Sequence, residues 1–262
     1  MFDGQWWSHL YVLKASAVIA LAVLTGQPLQ GWSSHPGPPS QFKGMRACSN
    51  RAPIHWQVSV ADGELRVNQA TRRPTTTPEI SFPEGRLVGL DEGEWGGSLR
   101  WFKRGQTRGR DLLSENVVAL VPASERAPIL VFTGLAHLDV DYGSVYTVRI
   151  VEGTPAVKKV ADLGTMPLLV QSRPDGTVFL LTRHGLARIH ANGRVVRLCD
   201  ADFAFLHVNS LAVLSDDELY VGMGLFVARL ERSLGQCEVS WFVKDDYESF
   251  SIEGQRCDVH AR

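Results

Sequence analysis

The chain has 262 residues, of which 44% are hydrophobic and 21% are charged, and its formal net charge is −1. This composition is typical of a single globular domain with a sizeable core. The near-neutral total excludes a protein that is drawn to nucleic acid or to anionic membranes by its overall charge.

Residues 1–31 have the composition of an export signal. Lys14 precedes an apolar run from Ala15 to Leu24. A run of this length is too short to span a bilayer as a helix, but it fits the apolar region of a secretory signal. We therefore predict a periplasmic or secreted protein with no stable membrane insertion after removal of the signal. An uncleaved anchor and a misassigned start stay open, because Asp3 lies in the leading region and no clean small-x-small cleavage site follows the run, Leu24-Thr25-Gly26 being the nearest.

Residues 32–53 are predicted to be a linker, and a β-hairpin is predicted to follow it. The stretch from Ser33 to Ser40 is rich in Ser, Pro and Gly, which is typical of a flexible or extended segment. Short β-rich runs from Ile54 to Val67 then flank Asp62-Gly63, a strong hairpin-turn signal.

A degenerate repeat fills the rest of the chain. Gly97, Gly143, Gly185 and Gly224 each begin a short apolar strand that contains Arg or Lys near its end, and successive glycines are 46, 42 and 39 residues apart. This period, with several short strands in each repeat, is typical of β-propeller blades. The predicted blades cover residues 79–115, 116–165, 167–198 and 210–243.

A propeller must close its ring, because an open ring leaves an edge strand that promotes aggregation. We predict that the N-terminal hairpin and a C-terminal strand between Tyr247 and Ile252 combine into a composite blade. The predicted fold is therefore an all-β β-propeller over residues 54–258, with five four-stranded blades.

Two of the blades share a sequence phrase. It runs through Asp175 to Leu180 and Gly185 to Ile189 in one blade, and through Asp217 to Val221 and Gly224 to Leu230 in the next. The phrase resembles the blades of bacterial secreted β-propellers of the NHL, streptogramin-lyase and YncE kind. The resemblance implies an architecture and supplies no catalytic residues, because propellers host many unrelated activities.

The four cysteines predict disulfides. Cys48, Cys199, Cys237 and Cys257 contain no C-x-x-C motif, and an even number of cysteines in an oxidising compartment indicates disulfide pairing. A Cys48–Cys257 bridge would join the two segments of the composite blade, and Cys199 and Cys237 could pair across neighbouring blades. All three connectivities stay open, and free thiols would be the alternative if the chain is not exported.

One face of the propeller is the candidate binding site. The loops between second and third strands share a face with the loops between blades, and two of them, Leu90 to Gly96 and Leu138 to Gly143, share the order Leu-Asp, spacer, acid, aromatic, Gly. The predicted ligand-binding residues are Asp91, Glu94, Trp95, Asp139, Asp141, Tyr142, His184 and His207. An acidic–aromatic rim suits a sugar, a cationic group or Ca²⁺. Alternatively, the acids cap backbone N–H groups and the aromatic side chains pack between blades.

The predicted function is an exported, monomeric binding or interaction module. Its partner is a protein or a glycan, and no nucleic acid partner is expected. No cofactor is expected either, unless the face binds Ca²⁺. The alternative is a carbohydrate-active hydrolase or lyase that uses acids of the same face, with His184 or His207 as a general base. Enzymatic activity is therefore left open. A deep enclosed pocket favours the enzyme, whereas a shallow face with exposed aromatic side chains favours the binding module.

The stretch from Arg104 to Arg110 is the only basic run. We interpret it as a solvated hairpin between the third and fourth strands of the first blade, and a polyanion-binding patch is the alternative.

Overall fold

The computed structural model describes residues 29–35, 37–38, 45–70, 77–122, 128–190, 193–233, 235–246, 250–252 and 255–257. The chain divides into the units Met1–Gln30 and Gly31–Arg262, and the elements below belong to the second unit. The predicted export signal falls almost wholly on residues outside the described ranges. Within those ranges, no helix combines the length and the apolar character that crossing a membrane requires.

Four elements precede the blades. They are β1 (Trp32–His35), α1 (Met45–Asn50), β2 (His55–Ala61) and β3 (Glu64–Ala70). The last two form the hairpin that the sequence predicted, and Asp62 and Gly63 both adopt positive φ values at its turn.

The first two blades follow. Blade I consists of β4 (Glu79–Phe82), β5 (Gly85–Asp91), β6 (Gly97–Lys103) and β7 (Arg110–Leu113). Blade II consists of β8 (Val117–Pro122), β9 (Ile129–His137), β10 (Val140–Val151) and β11 (Thr154–Asp162). In both sheets the antiparallel strands are neighbours in sequence order.

Two further blades repeat this meander. Blade III consists of β12 (Pro167–Ser172), β13 (Val178–Thr182), β14 (Gly185–Ile189) and β15 (Val195–Asp200). Blade IV consists of β16 (Ser210–Val213), β17 (Glu218–Gly222), β18 (Phe226–Ser233) and β19 (Gln236–Lys244). The predicted all-β fold with propeller-type blades is confirmed.

Local turn chemistry explains why these segments form meanders. Between β12 and β13, the Asp175 carboxylate accepts the Thr177 N–H at 2.8 Å, and Gly176 adopts a φ of +80°. This hydrogen bond holds the pKa of Asp175 below its usual value. An Asp side chain that closes the turn and a Gly in the left-handed region are what a tight reversal requires.

Apolar side chains pack neighbouring blades together. Leu99 of blade I and Val148 of blade II belong to one buried cluster, and Phe132 of blade II and Leu180 of blade III belong to another. The largest cluster joins blades III and IV to buried residues of α1, including Cys48. Residues of blades I, II and III, together with Asn209 just before blade IV, also line a cavity of about 610 Å³.

The structure differs from the predicted linker at residues 32–53. Strand β1 pairs with β19 and becomes a fifth, outer strand of blade IV, and α1 forms further along the same segment. His35 is buried and packs its ring against Phe226 at 5.1 Å, while Trp32 packs edge-on against Trp56 at 4.7 Å. Burial of these aromatic rings outweighs the extended tendency of the surrounding Ser, Gly and Pro residues.

The two segments predicted to form the composite blade lie in separate two-stranded sheets. One is the β2–β3 hairpin, which packs beside β16 and β17, and the other joins β20 (Phe250–Ile252) to β21 (Gln255–Cys257). The Val58 N–H donates to Ser210 Oγ at 2.9 Å, which places the hairpin next to the first strand of blade IV. Closure of the ring through one composite blade stays a prediction.

Both favoured cysteine pairs are disulfide-bonded. Cys48 pairs with Cys257 and so ties α1 to β21, with 5.7 Å between the two Cα atoms. Cys199 pairs with Cys237 and ties β15 of blade III to β19 of blade IV. The first bridge joins opposite ends of the chain, which is the role expected of it.

Candidate functional site

The turns between second and third strands lie at the same end of the sheets as the connections between blades. We call this end the loop face, and it comprises residues 91–97, 114–116, 137–143, 163–166, 182–185, 201–209 and 222–226. All eight predicted ligand-binding residues lie on it. Their role in binding stays a prediction, but their positions are now defined.

The first acidic turn is fixed by backbone contacts. Asp91 accepts the Gly93 N–H at 3.0 Å, and the buried Asn116 accepts the Glu92 N–H at 3.2 Å while donating to the Gly93 carbonyl at 2.7 Å. Glu94 is free of these contacts and lies 3.2 Å from His137 Nδ1. The turns of blades I and II therefore meet through Glu94 and His137.

Asp141, in the second acidic turn, joins blade II to blade III. Its carboxylate accepts the Met166 N–H at 2.7 Å and the Thr165 hydroxyl at 3.0 Å. Arg183 Nη1 and His184 Nε2 approach the same carboxylate at 3.4 and 3.6 Å. Asp91 and Asp141 thus both cap backbone groups, but only Asp141 spans two blades.

A cleft of about 290 Å³ opens beside this contact, between blades II and III and the β15–β16 connection. Its lining includes Leu138, Met166, Arg183, Phe205, His207 and Val208. The Arg183 guanidinium lies 4.7 Å from the centre of the Phe205 ring. Asn50 of α1 donates to the Phe205 carbonyl at 2.9 Å and accepts the His207 N–H at 3.0 Å, so that the N-terminal helix positions this wall of the cleft.

Two bulky apolar residues on opposite walls of the cleft have left-handed backbones. Leu138 has a φ of +52° and is 87% exposed, and Phe205 has a φ of +61° and is 62% exposed. Leu138 is the first residue of a two-residue hairpin loop, a position where a positive φ normally selects Gly. A strained backbone that holds an apolar side chain in solvent is characteristic of functional sites rather than of stabilising packing.

Exposed apolar side chains concentrate on the loop face. In the described parts of the chain, the exposed large hydrophobic residues are Val60, Trp95, Leu138, Val140, Tyr142, Val151 and Phe205, and five of these seven lie there. Trp95 is 83% exposed, so the expectation that the aromatic residue of this turn packs between blades is wrong. Large apolar side chains are therefore exposed mainly on this face.

The charge of the loop face is acidic. Its exposed carboxylates are Asp91, Glu92, Glu94, Asp139 and Asp202, whereas Arg183, with 16% of its side chain exposed, is the only Lys or Arg in these ranges. In the part of the chain that the structure describes, no group of three or more His, Cys, Asp or Glu side chains could hold a metal ion. Calcium binding stays a prediction.

The structure brings some predicted site residues together and leaves others apart. His184 lies beside Asp141, and His207 lines the cleft, while Asp139 and Tyr142 are exposed at or beside the blade II turn. Leu138 and Phe205 were not predicted as site residues. Their signal is the positive φ at a bulky residue, which becomes visible only once the turn boundaries are known.

Comparisons with known proteins show likenesses at low identity only. No family model matches the chain, and no curated protein matches it. The extracellular domain of the one component system BT4673 from B. thetaiotaomicron is 12% identical with a TM-score of 0.40, covering 72% of this chain and 28% of that chain. The calcium-binding protein regucalcin from Agrobacterium tumefaciens is 14% identical with a TM-score of 0.39, covering 69% and 71%.

TolB from Acinetobacter baumannii is 11% identical with a TM-score of 0.32, covering 75% of this chain and 62% of that chain. The chain thus spans less than two thirds of TolB and of the BT4673 domain. Likenesses at this level carry no function across, and the fold described above rests on the chain's own sheets.

Proposed function

We propose that this propeller is an exported protein-binding module whose loop face docks a segment of a partner that carries basic residues next to an apolar side chain. The single observation that carries the proposal is the concentration of exposed apolar side chains on this face. Monomeric proteins rarely leave such side chains clustered unless they serve an interaction.

Charge complementarity defines the partner. Three of the exposed carboxylates, Asp91, Glu92 and Glu94, belong to the same turn as Trp95, whose indole face can stack on a Lys or Arg side chain of the partner. The cleft between Leu138 and Phe205 is large enough for one apolar side chain. A basic and apolar segment would therefore satisfy the rim and the cleft together.

The two disulfides support export, because disulfides persist in oxidising compartments. The exposed apolar side chains of the loop face support binding of a partner. Asp141, the most enclosed acid of the two related turns, is already engaged by Thr165, Met166 and Arg183, which is a positioning role.

The test is selection from a random peptide library on the full chain, followed by measurement of affinities for the enriched peptides. We expect enrichment of peptides that pair Lys or Arg with an aromatic or aliphatic residue. The triple variant Trp95→Ala, Leu138→Ala and Phe205→Ala should weaken binding at least about 100-fold, since buried aromatic anchors dominate such interfaces.

The matched control is the double variant Val60→Ser and Val151→Ser, which removes exposed apolar side chains outside the loop face. It should bind the selected peptides like the wild type. Equal losses in both variants, or no enrichment of any peptide, would contradict the proposal. A glycan array run on the same protein covers the glycan partner: a glycan that competes at Trp95 would replace the peptide as the ligand.

A further inference from the structure

A second charged surface lies at the other end of blade I. Lys103, Arg104, Arg108 and Arg110 are all exposed and occupy the hairpin between β6 and β7. No carboxylate of the described residues lies within ion-pairing distance of these four side chains. We call this segment, residues 103–110, the cationic hairpin.

The neighbouring carboxylates are already neutralised by other arginines. Arg86 on β5 pairs with Glu79 at 2.8 Å, and Arg100 on β6 pairs with Asp111 at 2.7 Å. Glu84, in the β4–β5 turn, is the remaining carboxylate beside the hairpin in the described residues. The cationic hairpin therefore keeps a clear excess of positive charge.

The arginines of blades III and IV, in contrast to those of the cationic hairpin, pair with carboxylates. Asp216 forms ion pairs with both Arg173 and Arg188. Asp217 pairs with Arg232, and Glu218 pairs with Arg229. Since the same chain pairs its arginines there, the unpaired cluster on blade I is a local departure.

The scaffold of the cationic hairpin is ordered. A Cβ on Gly109 would lie 2.7 Å from the Phe102 ring, so the glycine lets the hairpin fold directly onto that ring, and the Arg86 guanidinium stacks over the same ring at 4.5 Å. The Arg104 N–H donates to the Glu84 carbonyl at 2.8 Å, and the Gln106 N–H donates to the Lys103 carbonyl at 2.9 Å. The four positively charged side chains therefore extend from a backbone that hydrogen bonds and ring packing hold in place.

The position and composition of the cationic hairpin indicate its ligand. It lies about 20 Å from the acidic loop face, the length of β6. Arg and Lys together favour phosphate, which guanidinium groups bind in a bidentate manner. Binding of single-stranded nucleic acid also uses exposed aromatic residues for stacking, but the exposed aromatic side chains of the described residues, Trp95, Tyr142 and Phe205, all lie on the loop face.

We propose that the cationic hairpin docks the protein on the phosphate headgroups of an anionic phospholipid surface, leaving the loop face directed away from that surface. Each cation near such a surface strengthens binding about fivefold. The interaction needs only charge and phosphate geometry, and it is independent of what the loop face binds.

The test is sedimentation of the full chain with vesicles of pure phosphatidylcholine and with vesicles that contain phosphatidylglycerol. The N-terminal segment is the same in every variant, so the readout is the change in the ratio of the two partition coefficients between the wild type and each variant. We expect a clear preference for anionic vesicles that weakens with salt. The preference for anionic vesicles should fall more than about 100-fold in the quadruple variant Lys103→Gln, Arg104→Gln, Arg108→Gln, Arg110→Gln. In the double variant Arg104→Gln, Arg108→Gln it should fall about 30-fold.

The matched control neutralises four cations that are paired with carboxylates away from the hairpin, Arg66, Lys159, Arg197 and Arg232, and so has the same net charge as the quadruple variant. It should retain the preference for anionic vesicles. An equal loss in this control, or an unchanged preference in the quadruple variant, would overturn the proposal. Binding of an oligonucleotide by the wild type without any binding of anionic vesicles would also overturn it, in favour of nucleic acid.

Discussion

Blades III and IV differ from blade I in the size of their buried core and in how many of their charged side chains form ion pairs. Blades III and IV share the largest core cluster, both disulfides attach to it, and their arginines are paired with carboxylates. Blade I shares a smaller core with blade II, exposes Trp95 at one end and leaves the cationic hairpin unpaired at the other. Stabilising interactions and candidate recognition surfaces thus lie mainly on different blades.

This division has a physical reason. A recognition surface needs groups that are unsatisfied before the partner arrives, and such groups destabilise the blade that carries them. Blade I can tolerate them because its neighbours are tied more strongly. If the comparison is correct, substitutions in blades III and IV will reduce stability more than substitutions in the exposed turns of blades I and II, which will mainly reduce binding.

The largest effect is expected from the disulfide between α1 and β21. Replacing Cys48 and Cys257 with Ser opens a bridge between residues 209 positions apart, and the chain-entropy model gives a loss of about 5 kcal/mol in the free energy of unfolding. Replacing Cys199 and Cys237, which are 38 positions apart, should remove about 4 kcal/mol. Denaturant unfolding without reductant measures both.

A loss no larger than that of a surface substitution in blade I would contradict the stronger stabilisation of blades III and IV. In that case the strongest ties would lie outside blades III and IV. The order of the two losses also matters, because a larger loss from Cys199 and Cys237 would contradict the role of the other bridge in joining the chain ends.

The next effect compares the two related acidic turns. Asp141→Ala removes the acceptor of the Met166 N–H and leaves Arg183 without its carboxylate, so we expect a loss of about 2–4 kcal/mol. Asp91→Ala removes a cap within its own exposed turn and should remove about 1 kcal/mol or less. Thermal and denaturant unfolding of the two variants decide the matter, and equal losses would show that Asp141 does not join blades II and III.

Much of the fold was predictable because blades are local structures. The glycine repeat and turn signals such as Asp175-Gly176 act within one blade, so the four meanders follow from neighbouring residues. Strand β1 was missed because its pairing joins Trp32 to Lys244, and nothing near Trp32 in the sequence reports that partner.

The candidate site was predicted in part for the same reason. The acids of the loop face lie in recognisable turns, so the positions of Asp91 and Asp141 at this end of the sheets were predictable, while their role in binding stays a prediction. The cleft wall at Phe205 depends on Asn50 of α1, a contact across 155 residues. Ring closure involves equally distant segments and stays a prediction.

An alkaline titration compares two tyrosines, one at the boundary of blades I and II and one in blade IV. Burial and the hydrogen bond to Glu115 raise the pKa of Tyr146 from its ordinary 10.0 to about 12, and burial with Glu218 raises the pKa of Tyr220 as well. The folded chain holds these protons more tightly than the unfolded chain does. The free energy of unfolding is therefore unaffected below pH 10 and falls above it, by up to about 1.4 kcal/mol per pH unit for each tyrosine.

Tyr146→Phe should flatten this fall between about pH 10 and 12, and Tyr220→Phe should flatten it separately, since the two groups lie in different blades. Unfolding by denaturant at a series of pH values measures both slopes. Unchanged slopes in both variants would show that neither tyrosine has a raised pKa in the folded chain. A change in Tyr146→Phe alone would place the alkaline-sensitive contact at the boundary of blades I and II.

The smallest change in stability is expected at Leu138, where the change in binding should be large. Its side chain is 87% exposed, so truncation to Ala removes almost no buried surface and should leave stability unchanged. Leu138→Gly also relieves the φ of +52°, which favours the folded state by about 1–2 kcal/mol, less about 0.5–1 kcal/mol of added chain entropy. The Gly variant should therefore be more stable than the Ala variant by up to about 1.5 kcal/mol, while both lose affinity for the selected peptides. A Gly variant that is less stable than the Ala variant would show that the turn is unstrained, and Leu138 would then no longer mark a site where binding is favoured over stability.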